Sequence, residues 1–139
     1  MDTPLQRGFV RYQLPVIVWA LLIFVSSSIP GTKFPSVPIF GVDKIVHIGF
    51  YFIFCFLAHR ALAHQQKFPL LFRYSYAFSV LCTLAYGAFD EFHQYFVPSR
   101  SSDVFDVMAD VTGALIYVGL VKLWLRLRMN PKNSPGQNG

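Results

Sequence analysis

Carboxylate side chains are gathered in or beside the most apolar parts of this 139-residue sequence. Of its seven acidic residues only Asp2 lies elsewhere; the other six are Asp43, Asp90, Glu91, Asp103, Asp106 and Asp110. An ionised group at the centre of a membrane-spanning helix costs roughly 2.5–3.5 kcal/mol on insertion scales, so this placement favours a functional role. Carboxylates in such a setting can act as general acids or bases, bind a cation or hydrogen-bond a polar headgroup.

One polar helix face is predicted where Asp43, Lys44, His47 and Tyr51 follow one another. Spacings of three and four place such residues on the same side of a helix. Anchoring at a membrane interface explains a lysine and a tyrosine well. It does not explain His47, which lies a turn deeper, and the pattern therefore favours a functional His47.

A second polar group occupies the segment DEFHQYFVPSR, which holds Asp90, Glu91, His93, Gln94 and Arg100. A wet helix end would explain Asp90 or His93 alone. Glu91 and Gln94 lie three residues apart and share a face that can point inward. The guanidinium of Arg100 is expected to pair with these acids or to bind an anionic group of a substrate, because its fork fits carboxylate and phosphate.

A third group begins in SSDVFDVMADVTGALIYVG, where Asp103, Asp106, Asp110, Gly113 and Tyr117 recur every three or four residues. Helix capping and the helix dipole would account for the first two acids. They would not account for Asp110, which lies about 10 Å further along the axis than Asp103 at roughly 1.5 Å per residue. Gly113 would let another helix approach closely.

Four apolar segments must position these residues, and they run about 14–29, 44–63, 74–92 and 104–125. Each is close to the roughly 20 residues that a helix needs to cross hydrocarbon. The composition is 54% hydrophobic and 14% charged with a mean hydropathy of +0.44, which indicates a membrane protein. We therefore predict an all-α fold, a four-transmembrane-helix bundle within residues 1–128, followed by a disordered cytoplasmic tail at 129–139.

The orientation of the bundle follows from its lysines and arginines, which accumulate in cytoplasmic loops. With both termini in the cytoplasm, that side holds nine of them: Arg7, Arg11, Arg60, Lys67, Arg73, Lys122, Arg126, Arg128 and Lys132. The opposite side holds three: Lys33, Lys44 and Arg100. The sequence therefore predicts cytoplasmic termini and a polar site at the outward-facing end.

The predicted outward site is strongly negative. Six acids face Lys44 and Arg100, which gives a charge of −4 if every acid is ionised and His47 and His93 are neutral. A protonated carboxyl, a protonated histidine or a divalent cation could relieve this charge. The sequence has neither an HExxH motif nor calcium-loop spacing, so no metal or other cofactor is predicted.

Several other kinds of function are disfavoured. Basic residues lie between apolar runs rather than in a patch with interleaved aromatics, so no nucleic-acid binding is predicted. No G-x-S-x-G elbow or P-loop occurs. Cys55 and Cys82 lie in apolar runs without CxxC spacing and are expected to be unbonded packing residues.

Three motifs in order, DKIVHIGFY, YGAFDEFHQYFVPSR and SxxDVxxD followed by xxGA, resemble the VanZ-like family of small bacterial integral membrane proteins. The resemblance covers roughly residues 40–120. The family's recurring polar positions fall on Asp43, Lys44, His47, Tyr51, Asp90, Glu91, Gln94, Arg100 and Asp106. The family more usually has Asn where this sequence has Asp110, and often Gly where it has Ser99.

The resemblance implies the bacterial plasma (inner) membrane and a cell-envelope context, with a family association to teicoplanin resistance but no defined biochemical activity. We expect His47, Glu91, Gln94, Arg100, Asp106 and Asp110 to converge at one end of the bundle, with Tyr51 beneath them. The site would act on or bind a cell-envelope molecule with a polar headgroup, such as a lipid-linked precursor or a glycopeptide, among membrane lipids. The sequence sets no oligomeric state.

Three hypotheses for the activity remain. In an enzyme, Glu91 or Asp106 would be the acid or base, His47 a second proton carrier and Arg100 the anion anchor. The remaining polar residues would contact the substrate: Gln94, Tyr51, Asp43, Lys44, Asp90 and Asp110. Alternatively, the chain is a non-catalytic scaffold or assembly partner whose polar network specifies helix packing. A transporter is the third hypothesis, and it is disfavoured by the short chain without an inverted repeat.

Overall fold

The structure, a computed structural model, describes residues 4–33, 41–65 and 67–129, and these residues contain helices and no strand. Along the chain they form α1 (Pro4–Gly8), a π-helical segment (Phe9–Gln13), α2 (Leu14–Ser27), a 3-10 turn (Gly31–Lys33), α3 (Val42–Ala63), α4 (Pro69–Arg73), α5 (Ser75–Gln94) and α6 (Val104–Arg128). The predicted all-α fold is confirmed. Residues 130–139 of the predicted tail lie outside the described residues.

Three helices in the described part of the chain are long and apolar enough to cross a membrane. They are Gln6–Ser27, Val42–Ala63 and Val104–Arg128. The first joins α1, the π-helical segment and α2 into one continuous helix. The fourth long helix, α5, has 20 residues, which is enough to span hydrocarbon, although polar residues on one face reduce its hydropathy.

The four long helices form a bundle in which α3 contacts α2, α5 and α6, most extensively α6. Successive helices run in opposite directions. The C-terminal ends of α2 and α5 therefore meet the N-terminal ends of α3 and α6 at one end, the site end of the bundle. Two side chains join α2 to its neighbours, since Trp19 Nε1 donates to Phe50 O (3.0 Å) and the Tyr86 hydroxyl donates to Ala20 O (2.6 Å).

The bundle buries polar side chains and exposes apolar ones. The face of α5 that points inward carries Ser75, Ser79, Thr83, Gly87, Asp90, Glu91 and Gln94. Its opposite face exposes Leu81, Leu84, Phe89 and Phe92. This distribution fits a lipid-facing surface, because lipid solvates apolar side chains and small or polar residues mediate helix contacts in membranes.

Close packing of α3 on α6 depends on Gly113. A Cβ atom at this position would collide with the carbonyl oxygen of Ile48 and meet the backbone nitrogen of Phe52 at 3.0 Å. The absent side chain therefore lets the two helix backbones approach, which brings the polar residues at their N-terminal ends together. Cys55 is buried in the same core, Cys82 is exposed, and both are free thiols.

Candidate functional site

A polar cluster lies at the site end of the bundle. Its members come from the first two turns of α3 and of α6, the residue before α6 and the C-terminal end of α5: Asp43, Lys44, His47, Asp90, Glu91, Gln94, Asp103, Asp106 and Asp110. The N-terminal ends of α3 and α6 carry partial positive charge from the helix dipole, which favours acidic side chains at this position.

Lys44 is the cationic centre of the cluster. Its ammonium Nζ lies 3.3 Å from the Asp43 carboxylate and 2.6 Å from Asp103 Oδ2, and it also donates to Asp106 Oδ1. Interfacial anchoring would explain a lysine that points to headgroups, but this lysine points to three carboxylates. It therefore ties the first turn of α3 to the start of α6.

His47 uses its two ring nitrogens differently. Its Nδ1 lies 2.9 Å from Asp110 Oδ1, a hydrogen-bond distance. Its Nε2 lies 3.9 Å from Asp106 Oδ2, which is beyond hydrogen-bond length. The ring is stacked beside Tyr51 with centroids 6.2 Å apart. Asp110 thus holds the imidazole so that Nε2 faces a second carboxylate.

Glu91 connects α5 to the start of α6 through a backbone group. Its Oε2 accepts a hydrogen bond from the amide nitrogen of Asp103 (2.8 Å). Gln94 Nε2 donates to Asp90 Oδ2 (3.1 Å) and lies 3.4 Å from Glu91 Oε1. All three of these α5 side chains are buried, so the last turn of α5 forms a wall of the cluster.

Asp103 caps helix α6, because its carboxylate accepts from Phe105 N (2.9 Å). The ammonium of Lys44 beside it and this amide hydrogen bond lower the pKa of the Asp103 carboxyl below its usual value. Asp103 lies just outside the membrane-spanning segment and stays ionised at neutral pH.

Three polar atoms at the base of the cluster are buried without a hydrogen-bond partner in the described part of the chain. They are the Tyr51 hydroxyl oxygen, Asp90 Oδ1 and Asp110 Oδ2. Room for Asp110 comes from Gly87, where a Cβ atom would collide with Asp110 Oδ2 and lie 3.2 Å from its Cβ and Cγ. Buried carboxylate oxygens normally accept hydrogen bonds or contact a cation.

Exposure falls steadily from the rim of the cluster to its base. The side chains of Asp43 and Asp103 are 62% and 36% exposed, Lys44 is 29% and His47 17% exposed, and Asp106 and Asp110 are 9% and 0% exposed. The cluster is therefore reached from the end of the bundle, beside Asp43 and Asp103. A molecule that approaches from there meets carboxylates first and the imidazole below them.

Arg100, a predicted site residue, and His93 from the same segment both contact the end of α2. Arg100 donates from Nε to Ile29 O (3.1 Å) and from Nη2 to Ser26 O (3.0 Å), so it caps carbonyls at the end of α2. His93 Nε2 lies 2.9 Å from Ser28 Oγ, and its ring packs on Phe24 with centroids 4.5 Å apart. The remaining predicted residues are brought together as described above.

Two groups that contribute to the site were not predicted from the sequence: Gly87 and the backbone amide of Asp103. Gly87 lies three and four residues before Asp90 and Glu91, so helical spacing could have placed it on their face. The Asp103 amide carries no signal in a sequence, because its role depends on the path of the loop between α5 and α6.

The arrangement can exchange protons and hold a cation. One ligand atom from each of His47, Glu91 and Asp106 lies within 4.8 Å of those of the other two. An imidazole between two carboxylates can also accept and release a proton near neutral pH. The cluster thus has the donors for acid–base work or for ion binding.

Comparison with known proteins gives one family match. A family model described as VanZ/LLP1 matches residues 12–125, which is most of the chain and includes every member of the cluster. No curated protein and no solved structure gives a significant match.

Proposed function

Because the chain belongs to the VanZ/LLP1 family and carries a buried acidic cluster at one end of a bundle of membrane-span-like helices, we propose that this cluster binds the polar headgroup of a cell-envelope molecule. A lipid-linked molecule fits best, since its chain can lie against the exposed apolar helix faces while its headgroup enters the cluster from the end of the bundle.

The observation that carries this proposal is the burial of four carboxylates at the end of an otherwise apolar bundle. Asp90, Glu91, Asp106 and Asp110 are each less than a tenth exposed, and two of them keep an oxygen without a hydrogen-bond partner among the described residues. Burying charge is costly unless it is compensated, so an occupied site is the economical explanation. Hydroxyl, amine or amide donors of a headgroup would satisfy these oxygens.

A catalytic form of the proposal assigns the proton transfers. Glu91 or Asp106 is the general acid or base, and His47, oriented by Asp110, is the second proton carrier. Arg100 keeps its proposed role as an anion contact only if the headgroup reaches the end of α2, where its guanidinium lies.

A specific observation favours the alternative, a non-catalytic scaffold. Most cluster members already contact one another across helices: Lys44 with Asp103 and Asp106, His47 with Asp110, and Glu91 with the Asp103 amide. Such a network can specify helix packing without any ligand. The two functions predict different results when one charge is removed and the hydrogen bonds are kept. A headgroup site should lose its bound molecule, whereas a scaffold should lose stability or assembly.

Glu91→Gln is the substitution that separates them, because a glutamine oxygen can still accept from the Asp103 amide. The full chain would be purified in nanodiscs made with an envelope lipid extract, and retained molecules would be identified by native mass spectrometry. We expect the wild type to retain a headgroup-bearing envelope molecule and Glu91→Gln to lose it while remaining folded.

Asp2→Asn is the matched control, since it neutralises the acid that the sequence places away from the cluster. It should retain the same molecule as the wild type. The headgroup proposal fails if the wild type retains no more than Glu91→Gln does. A lower melting temperature or altered assembly in Glu91→Gln, without any retained molecule in the wild type, would support the scaffold.

The proposed setting is the bacterial inner membrane, with both termini in the cytoplasm and the cluster facing outward. The nine-to-three distribution of basic residues supports this orientation. Cysteine labelling tests it, with Cys55 and Cys82 replaced by Ser. A cysteine at position 133 should resist an impermeant reagent applied to intact cells, and one at the exposed Asp43 should react. The reverse pattern would place the cluster in the cytoplasm.

A further inference from the structure

Three side chains of the cluster bring potential metal-ligand atoms close to one another. A nitrogen of His47 and one oxygen each of Glu91 and Asp106 lie within 4.8 Å of one another. The His47 Nε2 to Asp106 Oδ2 distance is 3.9 Å, too long for a hydrogen bond. Donor atoms that share a tetrahedral ion at about 2.0–2.1 Å lie about 3.3–3.4 Å apart, so the two atoms would have to approach each other by about half an ångström to bind one metal.

The imidazole is already held as a metal ligand requires. Its Nδ1 contacts the fully buried Asp110 carboxylate at 2.9 Å, which leaves Nε2 to face Asp106. A carboxylate that orients the imidazole through the other ring nitrogen is the usual support of a metal-binding histidine. Lys44 engages Asp106 through Oδ1, so the Oδ2 atom remains available.

A second observation independently points to a cation. Asp110 is 0% exposed and Asp90 3% exposed, and each has one carboxylate oxygen with no hydrogen-bond partner in the described residues. Asp110 contacts the His47 imidazole at 2.9 Å, and Asp90 directly precedes Glu91 on α5. A buried carboxylate oxygen without a donor can be satisfied by a proton or by a nearby cation, so these two oxygens agree with a cation bound in the cluster.

We propose that His47 Nε2, Glu91 and Asp106 Oδ2 bind one divalent transition-metal ion. One imidazole and two carboxylates suit Zn²⁺ and Mn²⁺, whereas Ca²⁺ and Mg²⁺ prefer ligand sets made only of oxygen. Three protein ligands leave a coordination position for water or for an oxygen of another molecule. The exposed rim at Asp43 and Asp103 gives access to that position.

The ion would also change which headgroups the cluster accepts. Without it, the carboxylates repel phosphate; with it, a phosphate oxygen can take the open coordination position. This consequence rests on the proposed function, whereas the metal site itself does not, so each can fail separately.

Metal binding can be measured without any envelope molecule. The purified full chain would be treated with EDTA, titrated with Zn²⁺ by calorimetry and, after desalting, assayed for bound metal by mass spectrometry. We expect one ion per chain. Co²⁺ should give the visible absorption of a four- or five-coordinate site that includes nitrogen. Glu91→Gln and Asp106→Asn should each weaken Zn²⁺ binding by more than about 100-fold, since outer-shell changes alone cost about 10- to 100-fold.

Asp43→Asn is the matched control, because it removes one exposed acid from the same cluster without touching a ligand. It should bind Zn²⁺ as the wild type does, and Zn²⁺ should raise the melting temperature of both proteins. The proposal is overturned if the EDTA-treated wild type takes up no stoichiometric ion. It is equally overturned if Asp43→Asn weakens binding as much as Glu91→Gln does, since that marks diffuse attraction of cations by surface acids. If a ligand variant fails to fold, the Co²⁺ spectrum of the wild type still shows whether the protein has a metal site that includes nitrogen.

Discussion

The imidazole Nδ1 of His47 lies 2.9 Å from Oδ1 of Asp110 and joins α3 to α6 across 63 residues of sequence. Asp110 is completely buried, and its other oxygen has no hydrogen-bond partner among the described residues. The pair therefore couples the position of the histidine to a carboxylate that solvent cannot reach.

Asp110→Ala should destabilise the protein more than Asp110→Asn does. Interhelical side-chain hydrogen bonds in a membrane protein average only about 0.6 kcal/mol. Leaving a buried partner unsatisfied costs about 1–3 kcal/mol, and alanine would leave His47 Nδ1 in that state. Asparagine keeps an acceptor oxygen. Thermal unfolding in detergent measures the difference, and equal losses for the two variants would mean that the charge, rather than the hydrogen bond, is what matters.

Gly113→Ala should destabilise the bundle by about 1–3 kcal/mol, the usual cost of overpacking. The added methyl group would collide with the backbone of α3 at Ile48, which cannot move aside as a side chain could. Gly119, on the same helix, has nothing within 4 Å of the corresponding position. Gly119→Ala should therefore be neutral or stabilise by up to about 1 kcal/mol through helix propensity. Similar melting temperatures for the two variants would contradict the close α3–α6 contact.

The ion pair of Asp103 with Lys44 should give the stability a dependence on acidic pH. The pKa of the Asp103 carboxyl is lower in the folded protein than its ordinary value of 3.8. Because the pKa is lower in the folded state, the ionised Asp103 carboxyl stabilises the protein fully above about pH 4. This stabilisation is lost as the pH falls through the pKa of the folded state. Asp103→Asn keeps a good helix cap but loses the ion pair. Its melting temperature should lie below that of the wild type at pH 6, and the gap should close as the pH falls below 4. A gap that stays constant with pH would exclude the ion pair as its cause.

Helical spacing was enough to anticipate much of the site. The fold class and the family are confirmed, because apolar segments of spanning length and three motifs carry both. On α6, Asp106, Asp110, Gly113 and Tyr117 share one inward face, and all four are buried. The three-to-four residue period is a property of the helix itself, so the face of each residue can be read without knowing the neighbouring helices.

Contacts that depend on the loops could not be read in the same way. Arg100 is expected from the sequence to pair with acids or to bind an anionic group, and the sequence gives no sign that its guanidinium also donates to Ser26 O and Ile29 O at the end of α2. Arg100 follows α5, where the direction of the chain is set by tertiary packing rather than by a local period. The same holds for the Asp103 amide, which reaches Glu91 only because of that loop.

The loop between α5 and α6 also holds a strained residue. Ser99 has a φ of +59°, and it is the one non-glycine residue with positive φ among the described residues. Its neighbour Pro98 accepts a hydrogen bond from Gly31 N (3.3 Å), so the unusual conformation brings this loop against the end of the α2 segment. Left-handed backbone costs a residue with a side chain roughly 1–2 kcal/mol, and glycine avoids this cost.

Ser99→Gly should therefore stabilise the protein, although glycine also gains freedom in the unfolded chain at a cost of about 0.4–1 kcal/mol. Relief of the backbone strain outweighs this entropic cost, so we expect a net gain of up to about 1 kcal/mol and a higher melting temperature in detergent. Ser101→Gly is the matched control, because the backbone there is not left-handed. It gains the same unfolded-state freedom without relieving strain and should be slightly destabilised. Shifts of the same sign in the two variants would show that the backbone at Ser99 carries no strain.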